Sequence, residues 1–258
     1  MIKAIFFDVD GTLLSHKTKQ IPPDAEQVLF SLKNQGIKIF MSTGRHSSEL
    51  AELPVNHIDF DGYVTLNGHL CLNGKKQTVY DTPFNHEITE TLVHVFQARK
   101  YPLALVNADG IYINFINDTV RKAQLSISTP LPEIGQYKSE ALYQATAFFT
   151  RSEEALLETS LPKNCKFARW CDHGVDIISS EGGKVRGIKY FCDFYGIHPN
   201  EVMAFGDAEN DIDMLNFAGI GVAMGNAQEC VKKTADYVTA DVDEGGISLA
   251  LQHFRILP

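Results

Sequence analysis

Long apolar runs are missing from this chain of 258 residues. None approaches the roughly 18 residues of a membrane-spanning helix, so no membrane partner is expected. The N-terminal run Ala4-Ile5-Phe6-Phe7 stops at Asp8, well short of a secretory signal core. Cysteine is sparse. The five, Cys71, Cys165, Cys171, Cys192 and Cys230, are odd in number and form no C-x-x-C pair. That usage predicts reduced thiols in a cytoplasmic protein. The nine histidines show no metal-ligand spacing. Basic residues are outnumbered, 23 Lys and Arg against 32 Asp and Glu, for a net charge of −9. Nucleic-acid binding through a basic surface is thereby excluded. Any anion site must be locally positive, built from a metal, a Lys or Arg, or backbone N–H groups. Repeats and low-complexity tracts are also absent.

What is present is ordinary globular material, 44% hydrophobic and 21% charged, enough for a packed core. Ala4 to Phe7 reads as a strand buried on both faces, followed by the polar turn Asp8-Val9-Asp10-Gly11-Thr12. Ala25, Val28, Leu29 and Leu32 have helical spacing, and Gly36 ends that helix. Ile37 to Met41 is a second short strand, ending in Ser42-Thr43-Gly44-Arg45, with a helix expected from Ser47 or Ser48. This β/α alternation predicts a doubly wound, Rossmann-like parallel sheet. It resumes after residue 183 with a helix from Lys184 to Tyr195, a strand from Val202 to Phe205, and further strands in Gly219 to Met224 and Tyr237 to Thr239.

The middle of the chain differs. It shows an amphipathic helix (Ile88, Leu92, Val95, Phe96), then a hairpin of Leu103 to Val106 and Ile111 to Phe115 about Asn107-Ala108-Asp109-Gly110. Tyr143 to Thr150, a helix around Glu153 to Thr159, Cys165 to Trp170 and Val175 to Ile178 follow. Hairpin signals with few helices suggest an antiparallel α+β module. The expected organisation is a core from residues 1–80 and 184–258, with an inserted α+β cap over 81–183.

Four polar clusters stand out: Asp8/Asp10/Thr12, Ser42/Thr43, Lys184, and Asp207/Asn210/Asp211. Three follow a predicted core strand directly, and strand C-termini of an open parallel sheet share one edge. A carboxylate there is an ionised nucleophile, but it repels a phosphoryl group. Mg²⁺ removes the repulsion and takes oxygen ligands, which Asp8, Asp207 and Asp211 offer. Lys184 and the Ser42 or Thr43 hydroxyl would hold the remaining phosphoryl oxygens. Asp10 would protonate the leaving oxygen and then activate water. Asp207 and Asp211 also admit a plainer role as caps of the following helix. Asn210 admits one as a helix-start residue or as a phosphate or metal-shell contact.

Together these motifs resemble the haloacid dehalogenase superfamily. Asp-Val-Asp-Gly-Thr-Leu resembles its first motif, Ser42-Thr43-Gly44-Arg45 its second, Lys184 its third, and Gly206-Asp207-Ala208-Glu209-Asn210-Asp211 its fourth. An insert between the second and third motifs is similar to the Cof-type phosphatases with a large type-two cap. Leu66-Asn67-Gly68 resembles the Asn-Gly segment near their active site, although Asn-Gly is also a left-handed turn signal. After Lys184 the family often has Gly; here Val185-Arg186 follows.

The resemblance implies a Mg²⁺-dependent hydrolase that removes phosphate from a small phosphorylated metabolite through an aspartyl-phosphate. The metabolite class would be a sugar phosphate, nucleotide, flavin mononucleotide or pyridoxal phosphate. It implies Asp8 and Asp10 as catalytic residues and Asp8, Asp10, Asp207 and Asp211 at the metal. It also implies substrate or phosphate contacts from Thr12, Ser42, Thr43, Gly44, Arg45, Asn67, Lys184 and Asn210. The rival readings are a phosphosugar mutase and a non-catalytic phospholigand-binding protein. His46 is a further candidate for substrate contact, and Trp170, the only tryptophan, reads as packing in the insert.

Overall fold

The computed structural model describes residues 1–127, 129–154, 157, 159 and 161–257. Strand β1 (Ala4–Phe7) is buried at every position and lies between β12 (Val202–Gly206) and β2 (Lys38–Ser42), parallel to both. Its alternating side chains divide between two hydrophobic layers. Ile5 and Phe7 join Ile39, Met41, Met203 and Phe205 on one face. Ala4 and Phe6 join Phe40, Val202 and Ala204 on the other. A strand with no polar side chain is stable only where both faces are covered, and here both are.

The first face carries α1 (Pro23–Asn34), through Ala25, Val28, Leu29 and Leu32. It also carries the helix Gly246–His253, through Ile247, Ala250 and Leu251. The second face carries the helix Lys184–Tyr195, through Ile188, Phe191 and Cys192, and the short helix Ile212–Phe217, through Met214 and Leu215. Each fully buried Leu, Ile or Phe contributes about 1.5–3 kcal/mol. Phe6 stacks on Phe40 at 4.5 Å between ring centroids, and Phe7 on Phe205 at 5.1 Å, so the centre of the sheet is also an aromatic seam.

The full sheet runs β14-β13-β12-β1-β2-β3-β4-β5, with β3 at Gly62–Thr65, β4 at Leu70–Asn73, β5 at Thr78–Asp81, β13 at Ile220–Ala223 and β14 at Tyr237–Val238. It is parallel through β3, but β4 and β5 add an antiparallel edge that the β/α alternation did not predict. The helix expected from Ser47 is instead two short 3₁₀ turns, Ser47–Glu52 and Pro54–His57, because Pro54 breaks the segment.

Between β5 and Lys184 lies a second sheet, ordered β10-β11-β9-β6-β7-β8. Its strands are β6 (Leu103–Val106), β7 (Ile111–Ile113), β8 (Glu133–Ile134), β9 (Gln144–Ala147), β10 (Cys165–Cys171) and β11 (Gly174–Ser179). All its pairs are antiparallel except β7 with β8. Helix α2 (His86–Ala98), capped by Asn85, packs Ile88, Leu92, Val95 and Phe96 with Leu103, Leu105, Ala145, Ala147, Val175 and Ile177. Helix α3 (Asp118–Ser126), capped by Asn117, packs Val120 and Ala123 with Ala104 and Phe148. The helix expected around Glu153 to Thr159 falls largely outside the described residues. No described helix is long and apolar enough to cross a membrane.

Candidate active site

Three adjacent parallel strands end together. Phe7 is in register with both Met41 and Phe205, so the next residues, Asp8, Ser42 and Gly206, reach the same edge. Beyond them open the polar turns, because these strands have no apolar residue left to bury. Asp8, Asp207 and Asp211 each place a carboxylate oxygen there, all within 4.8 Å of one another, and all three residues are buried.

Lys184 enters from the first turn of its helix and is wholly buried. Its Nζ donates to Asp8 Oδ1 at 2.5 Å and to Asp211 Oδ1 at 2.6 Å. The other Asp211 oxygen accepts from the backbone N–H groups of Asp207 and Ala208, both at 3.0 Å. Asp211 therefore ties the turn after β12 to Lys184. Burial pushes the Asp8 carboxyl well above the usual carboxylate range; the Asp211 charge adds to this and Lys184 opposes it. Burial raises Asp207 as well, against the opposing influence of the nearby His16 imidazole. For Lys184, burial acts to lower the pKa, but Asp211 and Asp8 outweigh it and the ammonium stays charged.

One ammonium thus faces three buried carboxylates. The cluster lacks two positive charges, which is what a divalent cation supplies, and its all-oxygen donor set suits Mg²⁺. The residues fit that ion.

The remaining predicted residues are not placed alike. Asp10 lines the cavity but is not one of the three clustered carboxylates: Arg45 Nε and Nη2 both donate to its carboxylate at 2.7 Å. Arg45 Nη2 also donates to Ile127 O of the insert at 2.9 Å. Thr12 is fully buried and donates to Asp207 Oδ1 at 3.2 Å, so it holds a carboxylate of the triad and does not line the cavity. Ser42 is also fully buried, and its Oγ has no partner among the described residues, whereas Thr43 and Gly44 do line the cavity. Asn210 lines the cavity and donates to Asn67 Oδ1 at 3.2 Å. Asn67 lies behind it, fully enclosed, with φ 51° and ψ 40°. Both readings of Asn-Gly meet there, since the residue is a left-handed turn and a link toward the site.

A cavity of about 500 Å³ lies between these residues and the insert. The insert's contribution follows strand alternation. Along β9, Ala145 and Ala147 face the insert's own core while Gln144 and Thr146 face the cavity. Along β11, Val175 and Ile177 face inward and Asp176 faces the cavity. Trp170 belongs to this wall too; its Nε1 donates to Asp176 Oδ1 at 3.2 Å, so the packing role expected for it is incomplete. His46 lines the cavity, with burial lowering its pKa, and its Nε2 lies 3.2 Å from Ala108 O of the insert.

Sequence reasoning missed His16, whose Nε2 lies 3.9 Å from Asp207 Oδ2. It also missed Asn226, which donates to Gly11 O at 2.8 Å and reaches Asp207 Oδ2 at 3.4 Å. Neither belongs to a pattern with fixed spacing. Gly11, at φ +92°, is required by position, since a Cβ there would enter the Asp207 carboxylate and the His16 ring. Polar residues alternating with the inward-facing apolar positions of β9 and β11 are the sequence signal that would have revealed Gln144, Thr146 and Asp176.

The family model of haloacid dehalogenase-like hydrolases matches residues 5–251. The solved structure of the HAD subclass IIB sugar phosphatase BT4131 is 35% identical, with a TM-score of 0.90 over 99% of this chain and 100% of that one. BT1666 from Bacteroides thetaiotaomicron, described among phosphatases of the haloalkanoate (HAD) enzyme superfamily, is 31% identical, with a TM-score of 0.89 over 100% of this chain and 96% of that one. In Bacillus subtilis (strain 168), the 5-amino-6-(5-phospho-D-ribitylamino)uracil phosphatase YitU is 27% identical over 97% of this chain and 96% of its own. With one family model spanning nearly its whole length and phosphatase structures superposing throughout, the chain belongs to the haloacid dehalogenase-like hydrolases.

Proposed function

We propose that this phosphatase hydrolyses small neutral-bodied phosphomonoesters of the sugar-phosphate class, with Asp8 as covalent nucleophile and Mg²⁺ as cofactor. The observation that carries the reading is the buried triad of Asp8, Asp207 and Asp211, with the Lys184 ammonium paired to two of its members, opening onto a cavity between core and insert. The substrate class is supported by that cavity's wall. Among the described residues the insert contributes one charged side chain to it, Asp176, beside neutral partners such as Gln144, Thr146 and Trp170. A leaving group rich in hydroxyls suits those acceptors and donors, and a second phosphate does not. The sugar phosphatase and the ribitylaminouracil phosphatase named above act on substrates of this polyhydroxylated kind.

In the proposed reaction an Asp8 carboxylate oxygen bonds to phosphorus. The bond from phosphorus to the ester oxygen breaks, and its electron pair leaves with that oxygen, which Asp10 protonates. Water then attacks the aspartyl-phosphate and gives its proton to Asp10. Phosphate leaves and the Asp8 carboxylate is restored. Arg45 fixes the orientation of Asp10 through two parallel hydrogen bonds. Lys184 holds Asp8 in place and offsets the charge that develops on the transferring group. Mg²⁺, held by Asp8, Asp207 and Asp211, would screen the repulsion between the nucleophile and the phosphoryl oxygens. The insert, residues 81–183, forms one wall of the cavity and would limit the access of bulk water.

The test is a panel of phosphorylated metabolites assayed for free phosphate with Mg²⁺ present. Sugar and polyol monophosphates should release inorganic phosphate faster than bisphosphates or nucleotides. Phosphate retained on a second sugar hydroxyl would make the enzyme a mutase, and no turnover of any monoester would refute the reading.

A further inference from the structure

At the wall of the same cavity the insert touches the core, and there one core side chain meets two from the insert. Asn67 Nδ2 donates to Gln144 Oε1 at 2.9 Å and to Asp176 Oδ2 at 2.8 Å. Its remaining polar atom, Oδ1, accepts from Asn210. Both polar atoms of this enclosed amide are therefore engaged, with two bonds toward the insert and one toward the turn that carries Asp207 and Asp211. Gln144 closes the ring by donating Nε2 to Gly44 O at 3.2 Å.

We infer that Asn67, Gln144 and Asp176 form a closure latch, with Asp176 a positioning residue through which docking of the insert fixes the Asp207–Asp211 turn. The inference rests on the phosphatase reading for the role of that turn. Three observations carry it. Asp176 is a buried carboxylate with no cation paired to it among the described residues. It is satisfied instead by three donors: Asn67, Thr146 Oγ1 at 2.9 Å and Trp170 Nε1 at 3.2 Å. Losing the core donor would leave part of that acceptor unmet, so docked and undocked are discrete arrangements. Second, Gly44 makes the approach possible: a Cβ there would stand 2.9 Å from Asp176 Oδ2 and 3.1 Å from Asn67 Nδ2. Third, Leu66, Asn67 and Gly68 are three successive residues with positive φ, at 50°, 51° and 86°. Leucine rarely adopts that conformation, and such strain persists where surrounding contacts hold it. Here the two segments joining core to insert hold the turn, Thr82 N–H donating to His69 O at 2.9 Å and Gly183 N–H to Asn67 O at 3.0 Å. The latch thus sits at the pivot of the movement it would control.

Asp176, Gln144 and Asn210 also line the cavity, so a bound leaving group lies against the latch. Substrate binding and docking then favour the same arrangement. Glu49 is the charged group whose field adds to burial in raising Asp176, to about 7. Above that pH the carboxylate is ionised.

The experiment is a polarity swap read at pH 8. Asn67→Asp is isosteric and tolerates left-handed backbone, but it sets two carboxylates against each other. Its kcat/KM on the best sugar phosphate should fall at least tenfold, and its radius of gyration by small-angle scattering should increase as the insert undocks. The double variant Asn67→Asp/Asp176→Asn reverses donor and acceptor and should return both quantities to within threefold and to the wild-type radius. Gln144→Leu, which adds no charge, should give an intermediate opening and supplies the test if Asn67→Asp does not fold. A single variant that stays compact with unchanged kcat/KM, or a folded double variant no better than the single one, overturns the latch. The scattering arm reports docking even if no monoester is turned over, so failure of the latch and failure of the phosphatase reading remain separate.

Discussion

Consider Lys184→Met. The substitution keeps the apolar stem and removes only the charge. In the wild type the ammonium lies 2.5 Å from Asp8 and 2.6 Å from Asp211, without solvent exposure. Without it Asp8 and Asp211 lose the ammonium that pairs with both. Removing one partner of a buried ion pair costs about 3–5 kcal/mol. The variant should be destabilised by that amount in metal-free urea denaturation at pH 7.5. The deficit should shrink toward pH 5.5, and the sign follows from linkage. Asp8 and Asp207 sit above the usual carboxylate range, so the folded form binds more protons than the unfolded one in this window. Stability then rises as pH falls, and it rises more in the variant, where the opposing ammonium is gone. Mg²⁺ should help both proteins, by about 2.7 kcal/mol at 100 times the dissociation constant. The variant should lose kcat even where the ion restores its stability. A metal-free variant as stable as wild type, or a deficit independent of pH, would refute the idea that this cluster carries surplus negative charge.

Chelation with EDTA should abolish hydrolysis of a generic aryl phosphate, and added Mg²⁺ should restore it. Asp10→Asn should depress turnover of sugar phosphates more than that of aryl phosphates, because a good leaving group needs little protonation; rapid quench should show phosphoenzyme accumulating. Asp176 is raised by burial from 3.8 to about 7, so wild-type stability should fall as pH rises through that interval. Asp176→Asn abolishes the slope, and its stability relative to wild type, from denaturation at pH 5 and pH 8, should improve with pH by about 2.7 kcal/mol, because roughly two units of the interval lie between those values. A parallel offset at both values would remove Asp176 as the titrating group.

The parallel strands and their helices were legible because their code is local. Ala4 to Phe7 has no polar residue to offer solvent, and Ala25, Val28, Leu29 and Leu32 recur at helical spacing. The triad was legible because the two clusters that supply it each follow such a strand. What stayed hidden depends on partners distant in sequence. The antiparallel pair of β4 and β5 forms only against β3, and α3 has four polar residues among its first five, which masks its short apolar face. Thr12 and Asn67 were expected at the phosphate, but their hydrogen bonds go to Asp207 and to the insert. Neither partner can be inferred from local sequence, since each pairing spans more than a hundred residues except that of Asn67 with Gln144 at 77.

The central claim is that Asp8 carries the phosphoryl group. Beryllium fluoride mimics that group, and the adduct can be located by mass spectrometry or by crystallography of protein trapped with Mg²⁺. The account predicts one adduct, on the Asp8 carboxylate, absent from Asp8→Asn protein whose circular dichroism matches wild type. An adduct formed equally well by the folded Asp8→Asn variant would contradict it and place the nucleophile elsewhere.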